Sequence, residues 1–215
     1  MGSGNINSLN GHTDDIMALG ISPDRKSVVT GSLGAQPLII VWDADTMAIK
    51  GKTRLGRNTR AVSSIRFSKN CTYFFCSDKH NDSNVYCFNA STMALVGTEK
   101  CGSDAVIDAE TGNNNTFACA TKSGLWFFQY SEGAGMKKNR GIFGMNVRNA
   151  MCCVGYSSND NAFISGAIDG SVYYWDGIQC TKARPMHDGS VMAISWNDGV
   201  IYSSGLKDRL LKLST

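Results

Sequence analysis

Residues 12–43 read HTDDIMALGISPDRKSVVTGSLGAQPLIIVWD, and this stretch decides the fold of the chain. A Gly-His pair, Gly11 and His12, stands at its start, and a Trp-Asp pair, Trp42 and Asp43, closes it. Between the pairs lie three apolar runs of strand length, and a Ser-Pro-Asp turn separates the first run from the second. This order of strand and turn signals is typical of one sheet in a repeat protein, so we expect further copies along the chain.

The pattern returns in weaker form after this stretch. Residues 161–177, NAFISGAIDGSVYYWDG, keep a Ser-Gly pair, an Asp-Gly turn and a closing Trp-Asp pair. Residues 115–130 align with them without a gap, which puts Gln129 at the Trp position, and Phe88 and Leu213 take that position in two further copies. Copies near the ~40–45 residues of a WD-repeat blade predict an all-β fold. We expect a WD-repeat β-propeller or partial propeller of about five four-stranded blades.

The repeats divide the chain into five units. We place them at residues 10–49, 58–98, 102–131, 145–180 and 186–215, inside a propeller segment at 5–215. Residues 1–4, MGSG, are interpreted as a remnant of expression cloning. Residues 5–9, NINSL, are placed to supply the missing outer strand of the fifth unit and close the ring. The alternative is an open segment with exposed edges, which neighbouring chains would cover.

The composition favours an ordinary globular protein. Of 215 residues, 42% are hydrophobic and 18% are charged, which argues against disorder. A net charge of +3 is too small to predict nucleic-acid binding, and the sequence has no apolar run of membrane-spanning length and no signal peptide. Most of the 8 cysteines sit in apolar runs, so we expect reduced thiols in a cytoplasmic protein.

Polar residues at fixed places in the repeats predict a hydrogen-bond network that ties the strands of a blade together. In the first unit its members are His12, Thr30 and Trp42, with Asp14 or, favoured, Asp15 in the adjoining turn. In later units the matching residues are Ser165 with Trp175, and His187 with Asp188 and with Ser203 or, favoured, Ser204. His, Asp and Ser also form catalytic triads, but no nucleophile elbow accompanies them, so no catalytic residue is predicted.

Metal and cofactor sites are not expected. The three histidines, His12, His80 and His187, are far apart in sequence and lack the spacing of metal ligands. Neighbouring Cys152 and Cys153 would point to opposite faces of a strand, which disfavours the binding of one metal ion by both thiols. The sequence contains no glycine-rich phosphate loop.

Two segments are rich in basic residues. From Thr46 to Ser77 the chain has no acidic residue, and Lys50, Lys52 and Arg54 alternate there on one predicted outer strand. Arg57 and Arg60 follow in a loop, and Lys137, Lys138 and Arg140 form a second cluster within residues 131–140, which we predict to be a mobile loop. Two interpretations are open: the cations prevent edge pairing of an outer strand, or they bind an acidic partner.

Three stretches resemble the echinoderm microtubule-associated protein-like (EMAP-like) family. They are GHTDDIMALGISPDRKSVVTG in the first unit, RAVSSIRFSKN at 60–70 and, most specifically, KKNRGIFG at 137–144, which resembles the joint between repeats in that family. The resemblance implies tandem WD-repeat propellers that bind microtubules or tubulin in the cytoplasm and cytoskeleton, with this chain as part of the first propeller. Because tubulin exposes acidic tails, the basic residues become candidates for partner binding. The alternative is a generic WD-repeat scaffold that assembles other protein complexes or binds a peptide.

Overall fold

The chain folds into antiparallel sheets that follow one another along the sequence. A computed structural model describes residues 10–56, 58–80, 82–157, 159–197 and 199–208, and the strand backbone at 211–214. This part of the chain forms nineteen strands in five sheets and contains no helix, so the predicted all-β propeller class is confirmed. No helix able to cross a membrane is found there. Residues 1–9, expected to hold a cloning remnant and a closing strand, lie outside the described residues.

Each sheet is one blade, and its strands run from the inner edge to the outer edge in chain order. Blade 1 contains β1 Ile16–Ile21, β2 Ser27–Ser32, β3 Leu38–Asp43 and β4 Ile49–Arg54. Blade 2 contains β5 Val62–Phe67, β6 Tyr73–Asp78, β7 Asn84–Asn89 and β8 Leu95–Lys100, and blade 3 contains β9 Asp108–Thr111, β10 Thr116–Thr121, β11 Gly124–Ser131 and β12 Gly135–Arg140. Blade 4 contains β13 Met151–Ser157, β14 Ala162–Ala167, β15 Ser171–Asp176 and β16 Gln179–Pro185, and blade 5 contains β17 Val191–Asn197, β18 Val200–Gly205 and β19 Leu211–Ser214.

The hydrophobic core lies between the blades. The middle strands of blades 2 to 4 are covered on both faces by neighbouring blades, so they read as continuous runs such as YFFCSD in β6, which is buried throughout. Phe75 of blade 2 stacks on Phe117 of blade 3 with ring centroids 5.4 Å apart. Phe127 of blade 3 meets Trp175 of blade 4 edge to face at 5.8 Å. These aromatic pairs fix one blade against the next.

The two terminal blades leave apolar side chains uncovered. The inner strands pack in the order β1, β5, β9, β13 and β17. On β1, Leu19 and Ile21 are 53% and 58% exposed, and on β17 Met192 is 53% exposed. The inner strands of the two terminal blades are therefore exposed at these positions. The expectation that neighbouring chains cover such edges stays a prediction.

The register of blade 3 differs from the ungapped alignment. In blade 4 Gly166 pairs with Val172, whereas the equivalent Ala120 in blade 3 pairs with Leu125, so the turn of blade 3 is one residue shorter. Since a one-residue slip moves every side chain to the other face, Phe128 takes the Trp position and is fully buried. Gln129, the predicted occupant, is exposed.

The last strand shows the same kind of slip. In blade 1 Trp42 pairs with Val28, two residues before Thr30. The residue two before Ser203, the counterpart of Thr30 in blade 5, is Ile201, and it pairs with Ser214 instead of the predicted Leu213. The prediction of Phe88 in blade 2 was correct, because Phe88 pairs with Phe74 in the equivalent register.

Residues 131–140 form a tight hairpin, so the prediction of a mobile loop was wrong. Ser131 pairs with Gly135, and β12 continues along β11 as far as the pair Trp126 and Arg140. Gly133 and Gly135 both have positive φ angles, 77° and 75°, which suit glycine in a short turn. The polar residues of this segment belong to β12, the exposed outer strand of blade 3. The predicted third unit ended at residue 131 and therefore did not include this strand.

Candidate functional site

His12 and Trp42, predicted members of the hydrogen-bond network in blade 1, both contact the buried hydroxyl of Thr30. Trp42 Nε1 donates a hydrogen bond of 2.8 Å to Thr30 Oγ1, and His12 Nε2 lies 2.7 Å from the same oxygen. The bonds join β2, β3 and the segment that enters β1. The side chain of Asp15 takes no part, because only its backbone oxygen is used, accepting from Leu33 N. His12 Nδ1 is buried and has no partner within the described residues, and burial lowers the pKa of this imidazole.

Blade 4 keeps part of this arrangement. Trp175 Nε1 donates to Ser165 Oγ at 2.9 Å, and both residues are buried. The Ser165 hydroxyl in turn points to Met151 Sδ at 3.1 Å, so its second partner is a thioether and not an imidazole. The Trp and Ser positions expected from the sequence therefore lie together.

Blade 5 also brings three side chains together, but two of them differ from those favoured by the sequence. His187 Nε2 lies 2.9 Å from Ser203 Oγ, and His187 Nδ1 lies 2.9 Å from Asp208 Oδ2. Ser204 was the wrong choice, because adjacent residues on a strand face opposite ways. Asp188 was wrong as well, because the carboxylate comes from the turn after β18. The corresponding turn of blade 1, SLGAQP, has no acidic residue, which explains the unpartnered His12 Nδ1.

The chain of Ser203, His187 and Asp208 has the distances of a catalytic triad but not the access. The His187 side chain is 0% exposed and Ser203 is 1% exposed, so a substrate carbonyl has no path to the hydroxyl. Its chemistry is that of a satisfied buried hydrogen-bond network. Among the described residues, no group of three or more His, Cys, Asp or Glu side chains is arranged to hold a metal ion.

The basic residues of the first cluster differ in their surroundings. Lys50, Lys52 and Arg54 project from the exposed face of β4. Lys50 Nζ pairs with Asp43 at 3.3 Å, and hydrogen bonds from Thr46 hold the pKa of the Asp43 carboxyl at about 2. The charge of Lys50 is therefore partly neutralised within its own blade.

The other members of that cluster stay available. Arg54 donates to Gln36 O at 3.0 Å, and the exposed Arg60 lies in the linker to blade 2. In the part of the chain that the structure describes, neither of them nor Lys52 forms an ion pair. Arg57 lies outside the described residues.

The second basic cluster occupies both faces of β12. Lys138 and Arg140 share the face that covers Trp126, with Lys138 Nζ and Arg140 Cζ each 5.1 Å from its ring centroid. The half-buried Trp126 ring itself packs against the apolar cluster between blades 2 and 3. Lys137 is exposed on the opposite face of the strand.

Two cations near this cluster carry no signal in the sequence. Lys138 Nζ donates to Lys100 O at 2.9 Å, which places the end of β8 beside β12. Arg148 Nε donates to Ser123 O at 3.0 Å, and Arg140 donates to the same oxygen at 3.0 Å. Lys100 and Arg148 stand alone among other residue types in the sequence, so only the packing of the blades brings them to the cluster.

Comparisons with known proteins agree with this architecture. The family model described as echinoderm microtubule-associated protein first beta-propeller matches residues 9–215. A ciliary WD repeat-containing protein, ctxp80, of Euplotoides octocarinatus is 32% identical over 93% of this chain and 28% of that protein. Echinoderm microtubule-associated protein-like 1 of Homo sapiens is 30% identical over 94% of this chain and 26% of that protein. For the like-2 protein of Rattus norvegicus the identity is 29%, over 94% and 34%. The chain thus spans a quarter to a third of the length of these curated relatives.

Proposed function

The chain belongs to the echinoderm microtubule-associated protein first β-propeller family, and we propose that within it the chain binds microtubules or tubulin. As a member of that family it is a protein-binding propeller scaffold. The proposal places it in the cytoplasm, on the cytoskeleton. It assigns no catalytic step to the chain, because the triad-like set found among the described residues is buried inside blade 5.

The observation that supports the proposal is a group of exposed cations without ion-pair partners on blade 1 and on the linker that follows it. Lys52, Arg54 and Arg60 are exposed and form no ion pair with any described residue. An acidic partner gains most from cations that are not already neutralised. Exposed contacts of this kind are screened over about 8–10 Å at ordinary ionic strength, so binding should weaken with added salt.

Co-sedimentation with microtubules at low salt tests the proposal. The variant Arg54→Glu/Arg60→Glu should pellet less than the parent chain. The matched control is Lys182→Glu/Arg184→Glu, which makes the same charge change at exposed positions on the outer strand of blade 4. Absence of the parent chain from the pellet at low salt would overturn the proposal, and equal losses in both variants would overturn the assignment to blade 1.

A second candidate function is a scaffold for other protein complexes. It is favoured by the relative from Euplotoides octocarinatus, which is named for cilia and WD repeats and not for microtubules. A pull-down from lysate with this chain separates the two candidates. Enrichment of tubulin supports the first, and a reproducible set of other proteins without tubulin supports the second.

A further inference from the structure

The two basic clusters are far apart in sequence, and in the fold Lys100 of blade 2 lies between them. The first ends at Arg60, in the linker between blades 1 and 2, and the second lies on β12 of blade 3. Lys100, at the outer end of blade 2, connects them: it lines a groove together with Arg60, and its backbone oxygen accepts the hydrogen bond from Lys138 Nζ. The cations therefore follow one another across three blades.

The groove between blades 1 and 2 has a volume of about 800 Å³. Arg60 and Lys100 supply its cations. Asp78 also lines it, but this residue is 1% exposed and its carboxylate accepts hydrogen bonds from Asn84 and from the Tyr86 hydroxyl, at 2.8 to 3.1 Å. Its acceptor oxygens are thus already occupied inside blade 2.

A second group of cations continues from the groove. Lys138 and Arg140 lie over the Trp126 ring, which holds both side chains in place by cation–π contact. Arg140 and Arg148 converge on the single carbonyl oxygen of Ser123. Two guanidinium groups so close repel each other, and within the described residues neither has a carboxylate partner. An incoming anion relieves that repulsion.

We propose that these five cations form one continuous binding surface for an extended acidic polypeptide segment. We call it the basic ledge, and its members are Arg60, Lys100, Lys138, Arg140 and Arg148. The inference rests on the proposed function and deepens it by naming the surface and the chemistry of the segment that binds. Carboxylates match the forked guanidinium groups of the ledge.

Polypeptide carboxylates suit the ledge better than a nucleic acid. The Trp126 ring lies beneath Lys138 and Arg140, so it is not an open platform on which a base could stack. The exposed carboxylate of Asp82 also lines the groove, so one acidic side chain borders the cations there. The net charge of the whole chain, +3, is also small for phosphate binding.

Fluorescence anisotropy with an acidic peptide tests the ledge directly. The probe is a labelled peptide with about eight glutamates, and the control peptide has glutamine at those positions. Binding of each peptide is measured at about 25 mM and about 200 mM salt. Lys138→Glu should weaken binding by about fivefold or more, whereas Lys137→Glu should stay within about twofold. The two variants make the same charge change on neighbouring residues of one strand, but only Lys138 faces the ledge. Lys100→Gln and Arg148→Gln should each weaken binding as well, although each removes one positive charge and does not reverse it.

The outcomes separate the ledge from the proposed function. Equal losses in Lys137→Glu and Lys138→Glu, or no binding of the glutamate peptide at low salt, would overturn the ledge even if the chain still pellets with microtubules. Tighter binding of a single-stranded oligonucleotide of equal charge would overturn the assignment to a polypeptide. Face-specific peptide binding without microtubule binding would support the ledge and overturn the tubulin proposal. Urea unfolding of each variant checks that the blades remain folded.

Discussion

Trp42 Nε1 reaches across blade 1 to the hydroxyl of Thr30 at 2.8 Å, and Trp175 makes the equivalent bond to Ser165 at 2.9 Å in blade 4. In both blades the donor lies on the third strand and the acceptor on the second. A buried indole N–H needs such a partner, because an unsatisfied donor loses its bond to water on folding. The bond therefore fixes the register between two strands as well as contributing to stability.

Removal of the Thr30 hydroxyl should destabilise the chain. Thr30→Val keeps the shape of the side chain but leaves the Trp42 N–H and the His12 ring without their shared partner. We expect a loss of about 1–3 kcal/mol in the free energy of unfolding, measured by urea titration. Thr30→Ser keeps the hydroxyl and should lose clearly less. An equal loss in both variants would show that packing of the methyl group, and not the hydrogen bond, matters.

The register of blade 5 makes two neighbouring serines unequal. Ser203→Ala removes the hydrogen bond to the buried His187 ring and should reduce stability by about 1–2 kcal/mol. Ser204→Ala, one residue further along β18, should change it by less than about 0.5 kcal/mol. Urea midpoints of the two variants give the comparison. The opposite order would mean that Ser204 is the partner of His187.

The stability of the chain should depend on the protonation of His12. Burial lowers the pKa of His12 in the folded state, so the folded chain binds this proton more weakly than the unfolded chain does. This group leaves the free energy of unfolding at its full value above the ordinary histidine pKa of about 6.5. The free energy of unfolding then declines as the pH falls from there through the lowered pKa of the folded state. The urea midpoint of the parent chain should fall between about pH 8 and about pH 5 by more than that of His12→Gln. An identical decline in both would exclude His12 as a cause.

The stacked pair Phe75 and Phe117 should dominate the contact between blades 2 and 3. Both residues are 0% exposed, so Phe75→Ala leaves a cavity and should cost about 3–5 kcal/mol of unfolding free energy. Phe75→Leu fills more of the space and should cost less. The surface control is Leu95→Ala on β8, where the side chain is 52% exposed and the expected change is within about 0.5 kcal/mol.

The sequence by itself determined the blade architecture. Apolar runs, turn residues and the repeated Trp-Asp and Ser-Gly signals specify strands and their order, because these are short-range patterns with a fixed spacing. They also placed Thr30 with Trp42 and Ser165 with Trp175, since each pair lies within one hairpin. The basic residues of β4 correctly indicated an exposed outer strand. The basic residues of β12 were interpreted as a loop, because the β12 sequence has no alternation of apolar and polar residues.

Only the tertiary structure decided the register between paired strands and which side chains from distant parts of the sequence lie together. One residue fewer in the turn of blade 3 moved Phe128 into the place given to Gln129, and a strand slip of this size leaves almost no trace in composition. Asp208 and not Asp188 meets His187, because the pairing of β18 and β19 sets which turn approaches the ring. Lys100 joins two basic clusters because blades stack side by side, which brings the ends of distant strands together whatever their separation along the chain.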